Sequence, residues 1–307
     1  MQNIIEVKNL TKIFGAKMVV DSIAFAVQRR SFFAFLGQNG AGKTTTINMI
    51  IGLLSCNDGE IVYDGSADFT AFKDKIGVVF QNNISDDLLT VEENLQTYGA
   101  LYIKSSAKLK ERMAEVTMLL ALDGFAKQRF KTLSGGQKRK VEIARALFMS
   151  PEILFLDEPT TGLDPKTRAD IWNIIHKLKN DRGMTIFLTT HYMEETASAD
   201  QVNIIDKGRI IAAGSPAELK AEYAFDRLLI TPKNAGTLEQ QLNEAEFKWE
   251  KTADTYAVRI GGAEDSINLL FRLKDNIRFY EVINGSMDDV FLNVVGEIPD
   301  QKSGVTK

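Results

Sequence analysis

Residues 37–44 read GQNGAGKT and match the pattern Gly-x-x-x-x-Gly-Lys-Thr. A short apolar run at residues 32–36 precedes them, and a helical pattern follows at residues 43–54. The glycines allow successive backbone N–H groups to point at one anion, and the helix adds its positive N-terminal end. This order of strand, loop and helix predicts a phosphate-binding loop in an α/β fold. The alternative, a glycine-rich turn with a solvated lysine, does not account for the flanking strand and helix.

Three side chains of this segment have predicted roles. Lys43 is expected to reach the β- and γ-phosphates of a nucleotide, the Thr44 hydroxyl to bind Mg²⁺, and the Thr45 hydroxyl to bond the α-phosphate. The remaining positions are expected to wrap the phosphates with their backbone: Gly37, Gln38, Asn39, Gly40, Ala41 and Gly42.

Composition limits the other classes of function. The chain has 307 residues, is 44% hydrophobic and carries a formal net charge of −4, which suits two domains and gives no sign of a nucleic-acid partner. Cys56 is the only cysteine, so no disulfide can form within the chain. We expect no signal peptide, and no apolar run approaches the roughly 20 residues of a membrane helix. We expect any membrane-spanning part to belong to another chain.

Short strand-like runs alternate with helical patterns through residues 1–223, and several runs, such as residues 153–156, are apolar at every position. This alternation predicts an α/β fold whose parallel sheet is covered on both faces. Residues 83–148 are expected to form a helical insertion in this domain, because they contain helical patterns and no good strand.

The C-terminal part of the sequence has a different pattern. Residues 224–298 show the order β-α-β-β-α-β, which is typical of the ferredoxin-like arrangement. We expect a small accessory α+β domain there and a disordered polar tail at residues 299–307.

Two carboxylates follow the apolar run 153–156, namely Asp157 and Glu158. Side chains at the carboxyl ends of parallel strands face the ligand in folds of this class. We therefore expect Asp157 to hold Mg²⁺ and Glu158 to act as the general base toward an attacking water. The alternative is a strand end with exposed acids, which the phosphate-binding loop disfavours.

A second predicted anion site begins the helix at residues 137–149. Ser134 is placed to cap this helix, and the glycines that follow leave its N-terminal N–H groups open. Because one site rarely needs two phosphate cradles on one chain, the simplest arrangement is a head-to-tail dimer in which each chain closes the other's nucleotide. A plain helix cap is the alternative. The segment comprises Ser134, Gly135, Gly136 and Gln137.

With these motifs in this order, residues 2–220 resemble the ABC ATPase family. By this resemblance, residues 37–44 are the Walker A loop, residues 133–137 the signature sequence and residues 153–158 the Walker B strand. The resemblance implies a P-loop NTPase fold with a RecA-like parallel-sheet core, an antiparallel β subdomain and a helical insertion. Gln38 departs from the family, which commonly has proline at that position.

The resemblance also assigns four single residues. Gln81 matches the Q-loop residue that contacts Mg²⁺ and the membrane partner, and Asp164 lies in the D-loop at the dimer interface. His191 matches the switch histidine that bonds the γ-phosphate. Phe14 falls where the family stacks an aromatic ring on adenine. Taken singly, Phe14 could be a core residue and Gln81 a polar loop residue.

Three further segments resemble the daunorubicin-resistance type of multidrug exporter: LTVEENL at residues 89–95, TTHYMEE at residues 189–195 and SMDDVFL at residues 286–292. The resemblance implies an ATP-hydrolysing subunit at the cytoplasmic face of a membrane. Its partners would be an integral membrane permease and a second ATPase chain, either identical or a close paralogue. The cargo would be drug-like or another small amphipathic or polymeric substance. The alternative is an ABC ATPase of the translation or repair type, which the single ATPase set and the lack of heptads disfavour.

Overall fold

A computed structural model describes residues 2–296. The chain divides into two compact units, with the boundary between Ala213 and Gly214. From the sequence we expected the first domain to extend to residue 223. In the structure the helix Pro216–Tyr223 instead groups with the C-terminal unit. The expected tail at 299–307 lies outside the described residues.

From residue 2 to the unit boundary, the described chain forms two sheets and six α-helices. Its strands, numbered in chain order, are β1 (Asn3–Phe14), β2 (Lys17–Gln28), β3 (Phe32–Leu36), β4 (Asp58–Tyr63), β5 (Ile76–Val79), β6 (Ile153–Asp157), β7 (Thr185–Thr190), β8 (Gln201–Asp206) and β9 (Arg209–Gly214). Its helices are α1 (Lys43–Ile50), α2 (Phe69–Phe72), α3 (Val91–Tyr102), α4 (Ser106–Leu120), α5 (Gly135–Leu147) and α6 (Pro165–Arg182). Short 3-10 turns lie at Lys73–Lys75, Asp123–Phe125, Phe130–Thr132 and Met193–Thr196.

The larger sheet has the strand order β5-β6-β7-β3-β8-β9, and its inner pairings are parallel. Strands β3, β6 and β7 are buried at every position, as the apolar sequence runs predicted. Their phenylalanine rings pack together across the sheet, with ring centroids 5.0 Å apart for Phe33 and Phe187 and 5.1 Å apart for Phe155 and Phe187. Burying each ring contributes about 1.5–3 kcal/mol. This packing fixes the carboxyl ends of three neighbouring strands side by side.

The smaller sheet is antiparallel, with the order β2-β1-β4. Sequence reasoning predicted the start of β1 and the end of β4 in this sheet and missed β2 altogether. The pairing of β1 with β2 has several register shifts, and Ser22 within β2 has a positive φ of 50°. Such irregularities interrupt the alternation of apolar and polar residues by which a half-buried strand is recognised.

Between the neighbouring strands β5 and β6 the chain forms α3, α4 and α5 and no strand. Helices α3 and α5 each begin with a capping box, in which the side chains of Thr90 and Ser134 accept from the third helical N–H. This segment corresponds to the insertion expected at residues 83–148.

The described part of the C-terminal unit, residues 214–296, has one four-stranded antiparallel sheet of order β11-β12-β10-β13. The order β10-α8-β11-β12-α9-β13 matches the predicted β-α-β-β-α-β pattern. The core of the unit lies between this sheet and the buried leucines of α8 and α9. The elements are α7 (Pro216–Tyr223), β10 (Asp226–Pro232), α8 (Ala235–Glu244), β11 (Trp249–Thr252), β12 (Thr255–Ile260), α9 (Ala263–Leu273), β13 (Ile277–Ile283) and α10 (Met287–Val295).

Within residues 2–296, none of the helices is both long enough and apolar enough to cross a membrane.

The close approach of β5 to α5 gives a test of the packing. A Cβ atom on Gly77 would lie 2.5 Å from the carbonyl oxygen of Ala146. Gly77→Ala is therefore expected to destabilise the first unit by about 1–3 kcal/mol. Urea denaturation followed by Trp172 fluorescence in a Trp249→Phe background would measure this unit alone. Gly124→Ala is the matched control, because a Cβ there meets no atom within 4 Å. Equal stability of the two variants would contradict the expectation.

Candidate active site

The loop at residues 37–42 connects the end of β3 to the start of α1. The N–H of Gly37 donates to the carbonyl of Thr190 (3.1 Å), which ties the loop to the end of β7. A Cβ on Gly37 would lie 2.5 Å from the Ile205 carbonyl oxygen, so only glycine fits this position without a shift. Gly42 caps α1 with φ 110°, a value that L side chains rarely adopt. The tertiary surroundings thus require the glycines that the motif contains.

The rim of the loop is open to solvent. Gln38, Asn39 and Gly40 are exposed, Ala41 is buried and Thr45 is half-buried. Gln38 stands where the family commonly has proline. Its backbone carbonyl accepts from the Lys43 ammonium at 3.0 Å.

Lys43 lies inside the site, with 4% of its surface exposed. Its ammonium donates to the Gly37 carbonyl at 2.8 Å. The same ammonium forms an ion pair with Oε1 of Glu158, at 3.2 Å. The structure therefore joins the lysine of the loop directly to the second carboxylate that follows β6.

Asp157 ends β6 and is 3% exposed. Its carboxylate accepts from the Thr44 hydroxyl at 3.0 Å and from the Thr189 hydroxyl at 2.5 Å. Burial raises the pKa of Asp157, an effect that these two hydrogen bonds reduce and that the charge of Glu158 increases. Carboxylate and hydroxyl oxygens lie together here, as Mg²⁺ requires.

Glu158 has a positive φ of 47°, a conformation that costs free energy for a residue other than glycine. Its N–H donates to the carbonyl of Thr189 at 3.1 Å, and this bond holds the turn. Nδ1 of His191 lies 3.1 Å from Oε2 of Glu158, and Nε2 of Gln81 lies 3.5 Å from the same atom. The structure thus brings the four predicted residues Lys43, Glu158, His191 and Gln81 into one cluster.

The charges of this cluster determine the protonation of Glu158. Burial by itself raises its pKa, but the ammonium of Lys43 and the ring of His191 outweigh burial. The pKa of Glu158 therefore lies below its ordinary value. A carboxylate that stays ionised at neutral pH can accept a proton from water.

The predicted second anion site lies apart from this cluster. Ser134 and Gly135 are exposed at the start of α5, where Ser134 and Gln137 form the capping box. A Cβ on Gly136 would lie 2.1 Å from a methyl carbon of Thr167, so this segment packs closely on the start of α6. Among the hydrogen bonds described for residues 2–296, none joins residues 134–137 to the cluster around Glu158.

Two other predicted residues are on surfaces. Asp164 caps α6 and accepts from the Thr167 N–H at 3.0 Å. Phe14 ends β1 with 49% of its surface exposed, and the ammonium of Lys12 lies 5.2 Å from its ring centroid. A ring exposed to this extent is available for stacking on a base.

Sequence reasoning missed residues that hold the segment around Gln81. Arg139, on α5, is 6% exposed and donates to the carbonyls of Phe80 (2.7 Å) and Gln81 (3.1 Å). Glu142, on the same helix, accepts from the N–H groups of residues 84 and 85. Charged residues at these positions of an amphipathic helix look like a solvated face, and only their burial reveals the role.

Comparison with known proteins gives consistent matches. A family model described as ABC transporter matches residues 20–161. The linearmycin resistance ATP-binding protein LnrL of Bacillus subtilis is 38% identical over 73% of this chain and 73% of its own length. The daunorubicin/doxorubicin resistance ATP-binding protein DrrA of Streptomyces peucetius is 34% identical over 97% of this chain and 94% of its own length.

Solved structures agree. One is cbiO1 from Clostridium perfringens, part of the ABC transporter complex cbiONQ, with a TM-score of 0.66 and 26% identity over 80% of this chain and 96% of that one. Another is a dimeric ATP-binding cassette in a post-hydrolysis state bound to ADP and Pi, with a TM-score of 0.63 and 28% identity over 69% of this chain and 98% of that one. The family, the fold and the clustered site together make this chain a member of the ABC transporter family of ATP-binding proteins, an ATPase that binds and hydrolyses ATP.

Proposed function

We propose that this ATPase powers the export of a drug-like or other small amphipathic or polymeric substance through a separate integral membrane permease. The observation that carries the proposal is the cluster of the buried Lys43 and Glu158 with the half-buried His191, beside the pair Thr44 and Asp157. The resistance proteins LnrL and DrrA, which resemble this chain over most of its length, support export as the direction of transport.

The oxygen ligands at the end of β6 fit Mg²⁺. The described residues contain no group of three or more His, Cys, Asp or Glu side chains that could hold a metal by themselves. A site with one carboxylate and one hydroxyl suits Mg²⁺, which commonly takes its other ligands from water and phosphates. Asp157 and Thr44 would hold the ion, with Gln81 close by, and the ion would neutralise charge on the phosphates.

The protein's own residues supply the remaining chemistry. Lys43 would bind the terminal phosphates, and backbone N–H groups of the loop at residues 37–42 would bind their oxygens. Glu158, ionised at neutral pH, would accept a proton from the attacking water. His191 would bond the γ-phosphate from the position it holds against Glu158. Phe14 would stack on the adenine ring.

A second ATPase chain, identical or a close paralogue, would complete each site. The exposed helix start at Ser134 and Gly135, apart from the cluster, supports this arrangement because an N-terminal helix end is suited to bind phosphate. Asp164 would lie across the same interface. The segment that begins at Gln81, which α5 holds through Arg139 and Glu142, would follow the permease as the dimer opens and closes. The chain would then be attached peripherally to the cytoplasmic face of the membrane.

The proposed base gives a direct test. Glu158→Gln is expected to lower ATP turnover at least about 100-fold, because the amide cannot accept the proton. Binding of ATP should persist, because Lys43 and the loop are intact. Steady-state hydrolysis and equilibrium nucleotide binding would be measured together. Glu60→Gln, an exposed carboxylate on β4, serves as the control. Hydrolysis at the wild-type rate in Glu158→Gln would show that another group is the base.

The buried carboxylate at the end of β6 gives a pH-dependent prediction. Because burial raises the pKa of Asp157, its charged form destabilises the nucleotide-free protein, and Asp157→Asn is expected to raise the free energy of unfolding at pH 7. This advantage should shrink as the pH falls toward 3.8, since the wild-type carboxyl then takes up a proton in the folded protein.

Urea denaturation of the nucleotide-free protein at several pH values would follow the difference between Asp157→Asn and the wild type. Asp170→Asn, at an exposed position of α6, is the control. An advantage of Asp157→Asn that grows in acid would contradict the prediction.

The identity of the molecule that binds this chain distinguishes a role in transport from the alternative, a role in translation or repair. Affinity purification of the tagged chain from detergent-solubilised membranes is expected to recover an integral membrane protein in stoichiometric amount. Recovery of ribosomes or DNA instead, with no membrane protein, would favour the alternative.

A further inference from the structure

Glu195 is a buried carboxylate outside the set of predicted site residues. It lies in the 3-10 turn Met193–Thr196, and 4% of its surface is exposed. The ion pairs found among residues 2–296 do not include it. A buried carboxylate without a cation is costly unless donors satisfy its oxygens. Its surroundings must therefore supply hydrogen bonds.

Three donors from three separate elements meet this carboxylate. Oε1 accepts from the Thr160 hydroxyl and from Nε1 of Trp172, the latter at 3.3 Å. Oε2 accepts from the Thr190 hydroxyl at 2.5 Å. The hydroxyl of Thr190 also accepts from the N–H of Tyr192 at 2.9 Å. Its oxygen therefore acts as the acceptor for Tyr192, and its proton is donated to Glu195.

The three donors belong to segments that carry the active site. Thr160 lies two residues after Glu158, and Thr190 immediately precedes His191. Trp172 lies on α6, the helix that Asp164 caps. The carbonyl of Thr190 also accepts from the N–H of Gly37. One carboxylate thus connects the segments on both sides of the contact between Glu158 and His191.

We infer that Glu195 is a positioning residue for ATP hydrolysis. Its carboxylate holds Thr190 against Thr160, and through Thr190 it keeps the ring of His191 at 3.1 Å from Glu158. Glu195 acts through His191 and touches neither the nucleotide nor the attacking water. The inference rests on the role proposed above for His191.

The hydrogen-bond pattern explains why glutamine cannot replace this carboxylate. If the amide nitrogen faced Thr190, the Thr190 oxygen would accept two bonds and its own proton would lose its acceptor. If the amide nitrogen faced the other side, it would meet the donor Nε1 of Trp172. Either orientation breaks a bond that the carboxylate satisfies.

The test uses the full-length protein. Turnover (kcat), KM for Mg·ATP and the melting temperature would be measured for Glu195→Gln and Glu195→Asp. Glu194→Gln is the matched control, because Glu194 is the neighbouring carboxylate, is exposed and pairs with Arg168 on the surface. If Glu195→Gln fails to fold, Thr160→Val removes a single donor from the same carboxylate and takes its place.

We expect kcat to fall while KM stays nearly unchanged. Glu195→Gln should lower kcat roughly 10- to 100-fold, since small displacements of a reacting group have effects of this size. KM should stay near the wild-type value, as the phosphate-binding loop is unchanged, and the melting temperature should fall, because one bond of a buried carboxylate network is lost. Glu195→Asp, which keeps both acceptor oxygens, should recover part of the activity, and Glu194→Gln should behave like the wild type.

A double-variant comparison separates positioning from a general structural effect. In a His191→Ala background, Glu195→Gln should lower kcat further by less than about 2-fold, because the group it positions is gone. The same fold loss in both backgrounds, or no loss in the single variant, would overturn the inference while leaving the proposed function intact. Wild-type turnover in His191→Ala alone would instead remove His191 from the proposed function and this inference with it.

Discussion

The ion pair between Lys43 and Glu158 joins the two halves of the active site inside the protein, at 3.2 Å and with 4% and 6% of the side chains exposed. Each of these charges would be costly to bury alone, and removal of one partner from such a pair typically costs about 3–5 kcal/mol. A phosphate that binds Lys43 competes with Glu158 for the same ammonium. We propose that the loop and Glu158, the candidate base, therefore respond together to nucleotide.

This ion pair forms because the central sheet places Lys43 and Glu158 at the same edge. The phenylalanine packing across β3, β6 and β7 fixes the strands whose carboxyl ends carry Gly37, Asp157 and the threonines of β7. Thr189 then bonds Asp157, and Thr190 bonds Glu195. Two consecutive side chains on opposite faces of one strand thus reach two different carboxylates. Because the sheet is rigid, the short threonine side chains can hold both carboxylates in place.

The candidate site residues that sequence reasoning predicted belong to local patterns. A glycine loop, a strand with two terminal carboxylates and a capped helix each need only neighbouring residues, so Lys43, Asp157 and Ser134 could be predicted from spacing alone. The parts that it missed depend on distant partners. β2 is irregular in its pairing, and Arg139 and Glu195 carry charges that a sequence pattern assigns to the surface. The boundary predicted at residue 223 differs from the end of the first unit because α7 groups with the C-terminal unit.

The sequence by itself determined the α/β class, the phosphate-binding loop and the chemical types available to the site, since each follows from residue order and local geometry. Only the tertiary structure decided that Lys43 is neutralised by Glu158, that Gln81 is held by a helix far along the chain, and that Glu195 lies buried among three donors. The physical reason is that burial sets the cost of a charge, and burial depends on residues that are remote in sequence. The loop GQNGAGKT predicts that phosphate is bound; the fold determines which side chains surround it.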